Sequence, residues 1–198
     1  MCCFLRLQKT EDHSKKKTCN YQERDEEKRK DFIQVVENIP KHQRVYIDES
    51  GIDKFIYRPL GRSFFGEIIQ GMISGKRYQR ESFVAGKIGS KIIAPFCYQG
   101  TCNTELFNFW VENFLVPELS PGQVVILDNA TFHKSQKTKE LIESAKCKIL
   151  FLPPYSPDLN PIEIFWANFK RMVKEKVKVL KNLSSAVNES FLSFMDDT

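Results

Sequence analysis

The stretch FLPPYSPDLNPIEIFW, residues Phe151–Trp166, contains the signals that decide the fold. Proline fixes its own φ angle and has no N–H group, so Pro153 and Pro154 end the apolar run that precedes them. Pro157 belongs to a turn, and Glu163 follows a few residues later, where an apolar helical pattern starts. Stiff backbone therefore sets the direction in which this carboxylate leaves the chain.

A helix is predicted from about Pro161 to Lys176, because apolar side chains recur there on one helical face. That face contains Ile162, Phe165, Trp166, Phe169, Met172 and Val173. Asn160, Pro161 and Glu163 also fit the N-cap, N1 and N3 positions of a capping box, and a capping glutamate needs no metal ion. Two interpretations of Glu163 stay open at this point, a helix cap or a functional acid.

Outward from this stretch, strands and helices alternate along the second half of the chain. The runs VVIL (124–127) and CKILFL (147–152) are short and apolar, which predicts buried strands. Amphipathic patterns at 103–119 and 134–146 predict two helices. This alternation is typical of parallel strands joined by crossover helices.

The first half has a different pattern. A helix is predicted at 25–39, ended by Pro40, and a short β-rich run at 45–47 is followed by Asp48. Three further runs, EIIQGMI, RESFVAGKI and KIIAPFCY, predict antiparallel strands. The fold class is therefore α/β, with a mixed sheet and helices on both of its faces.

Composition narrows the class of protein. Of the 198 residues, 41% are hydrophobic and 12% aromatic, which is enough to build a core and excludes wholesale disorder. The six cysteines form no Cys-x-x-Cys pair, so a zinc site is not predicted. No window approaches the roughly 20 apolar residues of a membrane span, so we predict a soluble, cytoplasmic protein. The net charge of +5 favours polyanionic partners only weakly.

Three acids follow or start predicted elements. Asp48 follows the first strand, Asp128 follows VVIL, and Glu163 starts the last long helix. An uncompensated buried carboxylate costs several kcal/mol, and a divalent cation removes that cost. Each acid also has a plainer interpretation: Asp48 as a turn residue before Gly51, and Asp128 with Asn129 as an Asx-turn.

The segments YIDESG, GQVVILDNATFHKS and LFLPPYSPDLNPIEIFWANFKR, in this order, resemble the catalytic domain of mariner-like DDE transposases. The bacterial insertion-sequence branch of that superfamily is the most similar, because the Pro-Pro-Tyr-Ser-Pro-Asp-Leu-Asn-Pro-Ile-Glu run is its most recognisable stretch. It also shares the 34 residues between Asp128 and Glu163. The resemblance extends from about residue 15 to residue 194.

The resemblance implies a ribonuclease H-like fold with a five-stranded mixed sheet. It implies that Asp48, Asp128 and Glu163 are the catalytic metal ligands and bind two Mg²⁺ or Mn²⁺ ions. The reaction would be transposition of a mobile element: metal-dependent DNA strand cleavage at insertion-sequence ends, followed by strand transfer into target DNA. This DNA recombination activity would place the protein on the bacterial nucleoid.

Further residues receive roles from the same resemblance. Asn129 and His133 are expected to support the site or to contact DNA, with a plain structural role left open. Asn160 and Pro161 are expected to position Glu163. Basic residues of the last long helix are expected to face DNA phosphates, although a solvated lysine face is the simpler interpretation. They are Lys170, Arg171 and Lys174.

We predict an N-terminal arm and helix at 1–40, the DDE catalytic domain at 41–182 and a C-terminal tail at 183–198. The helix-turn-helix region usual in such transposases is not recognised, so an upstream reading frame is expected to supply it. A homodimer is expected because two element ends must be brought together. The alternatives are a truncated, non-catalytic remnant that binds DNA or full-length transposase, and a nuclease of the same fold that cuts RNA–DNA hybrids.

Overall fold

The computed structural model describes residues 23–53 and 80–196, with side chains to residue 194. The predicted strand EIIQGMI lies outside the described residues. Five strands form one sheet in the order β3-β2-β1-β4-β5. They are β1 (Arg44–Asp53), β2 (Arg80–Ile88), β3 (Lys91–Tyr98), β4 (Val124–Leu127) and β5 (Lys148–Phe151). The predicted mixed sheet is confirmed, since β1, β2 and β3 are antiparallel while β1, β4 and β5 are parallel.

Five α-helices surround the sheet. They are α1 (Glu26–Glu37), α2 (Thr104–Trp110), α3 (Gln136–Ser144), α4 (Ile162–Leu180) and α5 (Leu183–Asp196). Asn103 caps α2 by accepting a 2.8 Å hydrogen bond from the Leu106 amide. The α2 segment then continues as a π-helical turn and a short 3₁₀ turn as far as residue 118. Two more 3₁₀ turns, Thr131–Lys134 and Pro157–Leu159, stand next to the predicted site residues.

The two faces of the sheet are covered by different helices. On one face, Phe107 and Trp110 of α2 and Ile142 of α3 pack on Val45 and Val125. On the other face, α4 and α5 enclose an aromatic cluster beneath β2 and β3. This cluster contains Phe83, Phe165, Trp166, Phe169 and Phe191.

Helix α1 covers the β4–β5 end of the same face as α4. Phe32 and Val36 pack there on Val124, Ile126 and Leu152. Because neighbouring strand residues point to opposite faces, Asp48 leaves β1 on the α1 and α4 side, whereas Ile47 and Glu49 leave it on the α2 side. The two acids that are adjacent in sequence therefore belong to opposite faces of the sheet.

The sequence analysis was wrong about where β1 ends. Asp48 does not close this strand, because antiparallel pairing with β2 continues to the Asp53↔Arg80 pair. Gly51 does not break the strand, because it pairs with Ser82 in the same register. Asp48 therefore lies inside a strand, which excludes its interpretation as a turn residue.

Helix α5 is a packed part of the fold. Leu183, Ala186 and Val187 are buried in the same cluster as the aromatic residues of α4. The division of the chain at residues 40 and 182 stays a prediction. Among the described helices, none is long and apolar enough to cross a membrane.

Candidate active site

The three predicted acids line one cleft. It has a volume of about 390 Å³ and lies at the carboxyl ends of the parallel strands β4 and β5. Tyr46 on β1 is in register with Ile126 on β4, so two residues further along both strands reach Asp48 and Asp128. Glu163 enters from the first turn of α4. The proline loop, from Pro153 to Pro157, forms the opposite wall.

The surroundings of Asp48 disfavour the ionised form of its carboxyl group. Burial, and after it the negative charge of Glu163 and of the neighbouring acids, raises the pKa of Asp48 to about 8. A carboxyl group resists ionisation in this way when its surroundings are both desolvated and negative. A cation in the cleft would remove both causes.

Asp128 is held by its own neighbours. Its Oδ1 accepts a 2.9 Å hydrogen bond from the Ala130 amide, which is the Asx-turn that the plainer interpretation predicted. The same oxygen lies 2.6 Å from Nδ1 of His133. Asp128 therefore forms the Asx-turn and lines the cleft at the same time, and the two interpretations are compatible.

His133 connects Asp128 to β1. The ring is fully buried and its Nε2 lies 2.8 Å from Oε1 of Glu49. The rings of Phe107 and Phe132 each lie 4.3 Å from the imidazole, so apolar walls fix its orientation. The residue is not a helix cap. It forms a brace, Glu49–His133–Asp128, that approaches Asp128 from the α2 side of the sheet.

The brace has a clear charge pattern. Burial lowers the pKa of His133, but its hydrogen bonds to Asp128 and Glu49 outweigh this effect and raise the pKa to about 9. Burial also acts to raise the pKa of Asp128, and the hydrogen bond from His133 reverses this, so that the net shift is downward. At neutral pH a protonated imidazole thus lies between two carboxylates.

Asn160 joins the start of α4 to β1. Its Nδ2 donates a 3.2 Å hydrogen bond to the carbonyl of Ile47, the residue before Asp48. Its Oδ1 accepts from the Ile162 amide at 3.3 Å. The predicted capping box is wrong: α4 begins one residue later than predicted, with Pro161 at its N-cap and no side-chain cap hydrogen bond within the described chain. Glu163 is exposed and its direction is set by this short, tied backbone.

Asn129 ties two loops of the cleft together. Its Nδ2 donates to the carbonyl of Leu152, at the end of β5. Asp128 and the proline loop are thereby fixed relative to each other. The predicted supporting residues Asn129, His133 and Asn160 thus all contact elements that carry an acid or the proline loop.

An ion pair outside the predicted set holds the proline loop from the other side. Arg29 of α1 donates to both carboxylate oxygens of Asp158, at 3.1 and 2.8 Å. Sequence reasoning missed Arg29, Asp158 and Glu49. Asp158 belongs to the recognisable proline-rich run, and this was the only available signal. Pairings across 84 and 129 residues leave no pattern in a sequence.

The predicted DNA-contacting residues lie along α4. Lys170 and Lys174 are one turn apart, and Lys170 is two turns from Glu163, so the three side chains share a stripe. Burial lowers the pKa of Lys170, while Glu163 and Asp48 oppose this shift, so the lysine is within electrostatic reach of the cleft. Arg171 is exposed beside this stripe and donates to Asn168 at 3.2 Å.

The cleft has the donor chemistry that a hard cation prefers. Mg²⁺ and Mn²⁺ bind carboxylate oxygens, and Asp48, Asp128 and Glu163 supply them from three separate elements. Over residues 23–53 and 80–194, no three acidic, His or Cys side chains converge closely enough to hold a metal ion. Mutual repulsion of like charges opposes such convergence. Burial first, and then the nearby carboxyl groups, raise the pKa of Asp48, so both would favour a cation at this position.

Comparisons with known proteins agree with this geometry. Residues 43–184 match the DDE superfamily endonuclease family. The Tc3 transposase of Caenorhabditis elegans is 40% identical over 58 residues, which are 29% of this chain and 18% of that protein. The catalytic domain of the Mos1 mariner transposase superposes with a TM-score of 0.58 at 15% identity, over 91% of this chain and 97% of that domain. A Mos1 paired end complex with Mn superposes with a TM-score of 0.60 at 19% identity, over 74% and 49%.

The fold is the ribonuclease H-like α/β fold of such catalytic domains, as predicted. The family match covers most of the chain, so this protein belongs to the DDE superfamily endonuclease family. The chain spans 18% of Tc3 and about half of the Mos1 chain in the Mn complex. The bacterial insertion-sequence branch stays a prediction.

Proposed function

We propose that the chain is the catalytic half of a DNA transposase. It cleaves DNA strands at insertion-sequence ends and transfers them to target DNA, with two Mg²⁺ or Mn²⁺ ions. The observation that carries this proposal is that Asp48, Asp128 and Glu163 line one cleft, in which the pKa of Asp48 is raised to about 8. A cluster of carboxyl groups in which one resists ionisation is suited to a cation, because a bound cation favours the ionised form.

Divalent ions held by the three acids would supply Lewis-acid catalysis, stabilising the attacking and leaving oxygens of a phosphodiester. The protein's own contribution is positioning. His133 and the Ala130 amide hold Oδ1 of Asp128. Asn160 ties the helix that carries Glu163 to the backbone beside Asp48. We propose that Asn129, His133, Asn160 and Pro161 act through the acids in this way rather than through DNA.

The proposed DNA path runs from the cleft along α4. Lys170, Arg171 and Lys174 are on the exposed side of this helix or at its edge, while its apolar side is buried against the sheet. A phosphate backbone that follows α4 would bring its scissile bond to Glu163. Helix α4 would therefore supply both a DNA-binding surface and one metal ligand.

The partners belong to the same proposal. They are transposon-end and target DNA, a second copy of the chain to hold the second end, and a helix-turn-helix product of an upstream frame. The Mos1 relatives include a paired end complex and a strand transfer complex, which supports the first two partners. A cytoplasmic location on the bacterial nucleoid would follow, because the substrate is DNA.

The proposal is tested by nicking of supercoiled plasmid in Mg²⁺ or Mn²⁺, with Asp128→Ala as the matched variant. We expect nicking by the wild type and none by the variant. Equal nicking by both would contradict the assignment. If neither protein nicks the plasmid, fusion to a helix-turn-helix frame separates a catalytic half that lacks its targeting domain from a non-catalytic remnant.

The remaining alternatives predict other outcomes. A remnant would bind full-length transposase and lower its activity without cleaving DNA itself. A hybrid-cutting nuclease would cleave an RNA–DNA hybrid faster than duplex DNA of the same sequence. Both alternatives can be measured with the same purified chain.

A further inference from the structure

Arg29 is a buried charge that the proposed chemistry does not use. Only 6% of the residue is exposed, although it lies on α1, outside the cleft. An arginine is rarely buried unless it is paired, and here a fork of two N–H groups meets both oxygens of one carboxylate. The carboxylate is that of Asp158, 129 residues further along the chain.

The partner of Arg29 belongs to the segment that carries the third acid. Asp158 is the middle residue of the 3₁₀ turn Pro157–Leu159. Asn160 follows and donates to the carbonyl of Ile47, and the Glu163 amide donates to the carbonyl of Asn160 at 3.2 Å. The start of α4 is thus tied to β1 through Asn160 and to α1 through Asp158.

Attachment of α1 to the sheet does not require this ion pair. Phe32 and Val36 already bury the apolar face of the helix against β4 and Leu152. The ion pair adds little buried apolar area, but it fixes the orientation of its partners. A bidentate arginine–carboxylate contact holds both groups in one plane. The element fixed by it is the turn that leads to Glu163.

We propose that Arg29 and Asp158 are positioning residues for Glu163. Helix α1 would then help to orient one ligand of the metal site. The inference rests on the proposed function for its metal and deepens it. Loss of the pair should leave the fold intact, loosen the start of α4 and weaken metal binding. Residues that orient a ligand of a metal site change metal affinity by about 10–100-fold.

The test measures Mn²⁺ binding by electron paramagnetic resonance in the full chain and in Asp158→Asn, Arg29→Gln and Arg29→Lys. Asp158→Asn preserves shape at a side chain that is 53% exposed, so this variant is expected to fold. Lys28→Gln is the matched control, because Lys28 precedes Arg29 on the same helix but forms its ion pair with the N-cap residue Asp25. Melting temperatures confirm that each variant is folded.

We expect Mn²⁺ to bind about tenfold more weakly to Asp158→Asn and Arg29→Gln than to Lys28→Gln. Arg29→Lys should recover part of the loss, since it keeps the charge but not the fork. An affinity within twofold of the control for both disruptive variants would overturn the proposal. A lower melting temperature with unchanged affinity would do the same, because it would show a purely structural role.

A second readout does not depend on the metal. The amides of Ile162 and Glu163 donate to Asn160, so hydrogen exchange at these positions reports on the start of α4. Exchange there should rise in both disruptive variants while exchange in β4 stays unchanged. If the wild type failed to bind Mn²⁺ at all, the proposed function would fall, and unchanged exchange would separately overturn the role of the pair.

Discussion

Asp48 lies on β1 and Asp128 directly follows the neighbouring strand β4. Both residues line one cleft, yet their surroundings shift their pKa values in opposite directions. Asp128 receives hydrogen bonds from His133 and from the Ala130 amide, and its pKa is lowered. Asp48 is desolvated beside other carboxylates, and its pKa is raised to about 8. One side of the site is therefore organised by hydrogen bonds, whereas burial and neighbouring carboxyl groups dominate the other side.

This difference separates two tasks of a catalytic metal site. The Glu49–His133–Asp128 brace keeps one ligand ionised and oriented before any ion arrives. The excess charge around Asp48 supplies affinity, because a cation relieves it on binding. The stability of the metal-free protein is lower as a result, which is common where function requires buried charge.

The largest effects on nicking and on the melting temperature are expected from Asp48→Asn. It should lower metal-dependent nicking by more than about 100-fold, beyond the 10–100-fold typical of residues that only orient a ligand. In chelator it should instead raise the melting temperature. A raised folded-state pKa means that the destabilisation is absent below the ordinary value of 3.8, grows with pH and is complete above about 8.

The gain in melting temperature should therefore be near zero at pH 3.5 and largest at pH 8–9. About 1 kcal/mol corresponds to about 2–4 °C in a domain of this size, so a gain of several degrees is measurable by calorimetry. Asp128→Asn is the matched control. It should also stop nicking but should lower the melting temperature, because it removes a partner of His133. If both variants or neither variant raised the melting temperature, the proposed difference between the surroundings of Asp48 and Asp128 would be contradicted.

A smaller effect is expected from His133→Gln. It should weaken Mn²⁺ binding by about 10–100-fold, because Asp128 loses its brace. The folded-state pKa of about 9 lies above the ordinary 6.5. The stabilisation by His133 is therefore complete below pH 6.5 and lost as pH rises through 9.

The melting temperature of His133→Gln in chelator should accordingly fall furthest below that of the wild type at pH 6 and least at pH 10. His42→Gln is the control, since His42 is exposed in a separate turn. A pH-independent difference would show that the imidazole is not charged between Asp128 and Glu49.

The smallest effect is expected on the surface of α4. Lys174→Gln should leave metal binding unchanged and reduce the slope of log affinity for DNA against log salt by about 1, as for one lost phosphate contact. Lys139→Gln on α3, which covers the opposite face of the sheet, is the control. Equal slopes for the two variants would show that DNA does not follow α4.

Much of this molecule was predictable from local patterns. The apolar runs before Asp128 and Pro153 gave two parallel strands, and the prolines gave the position of the helix that carries Glu163. The mixed sheet was predicted correctly, and the three predicted acids line one cleft, while their role as metal ligands stays a prediction. The end of β1 was not, because the pairing that extends it to Asp53 depends on β2, which begins 27 residues later. Local signals such as Gly51 indicated a turn.

The supports of the acids were less predictable. Alternation along β1 places Glu49 on the face opposite Asp48, but its contact with His133 spans 84 residues. The Arg29–Asp158 pair spans 129. Asn160 was expected to cap α4, and instead it uses its amide to reach Ile47 across the sheet. In each case the contact joins residues that are far apart in the sequence, so no local pattern indicated it.

The most direct test of the central claim is calorimetric titration of Mn²⁺ into the wild type and into Asp48→Asn, Asp128→Asn and Glu163→Gln. The account predicts binding to the wild type and a loss of at least about tenfold in affinity for every variant, because each removes one oxygen ligand. Glu112→Gln, on the π-helical turn after α2, is the control and should bind like the wild type. Equal affinity across all five proteins would show that the cleft formed by the three acids is not where the metal binds.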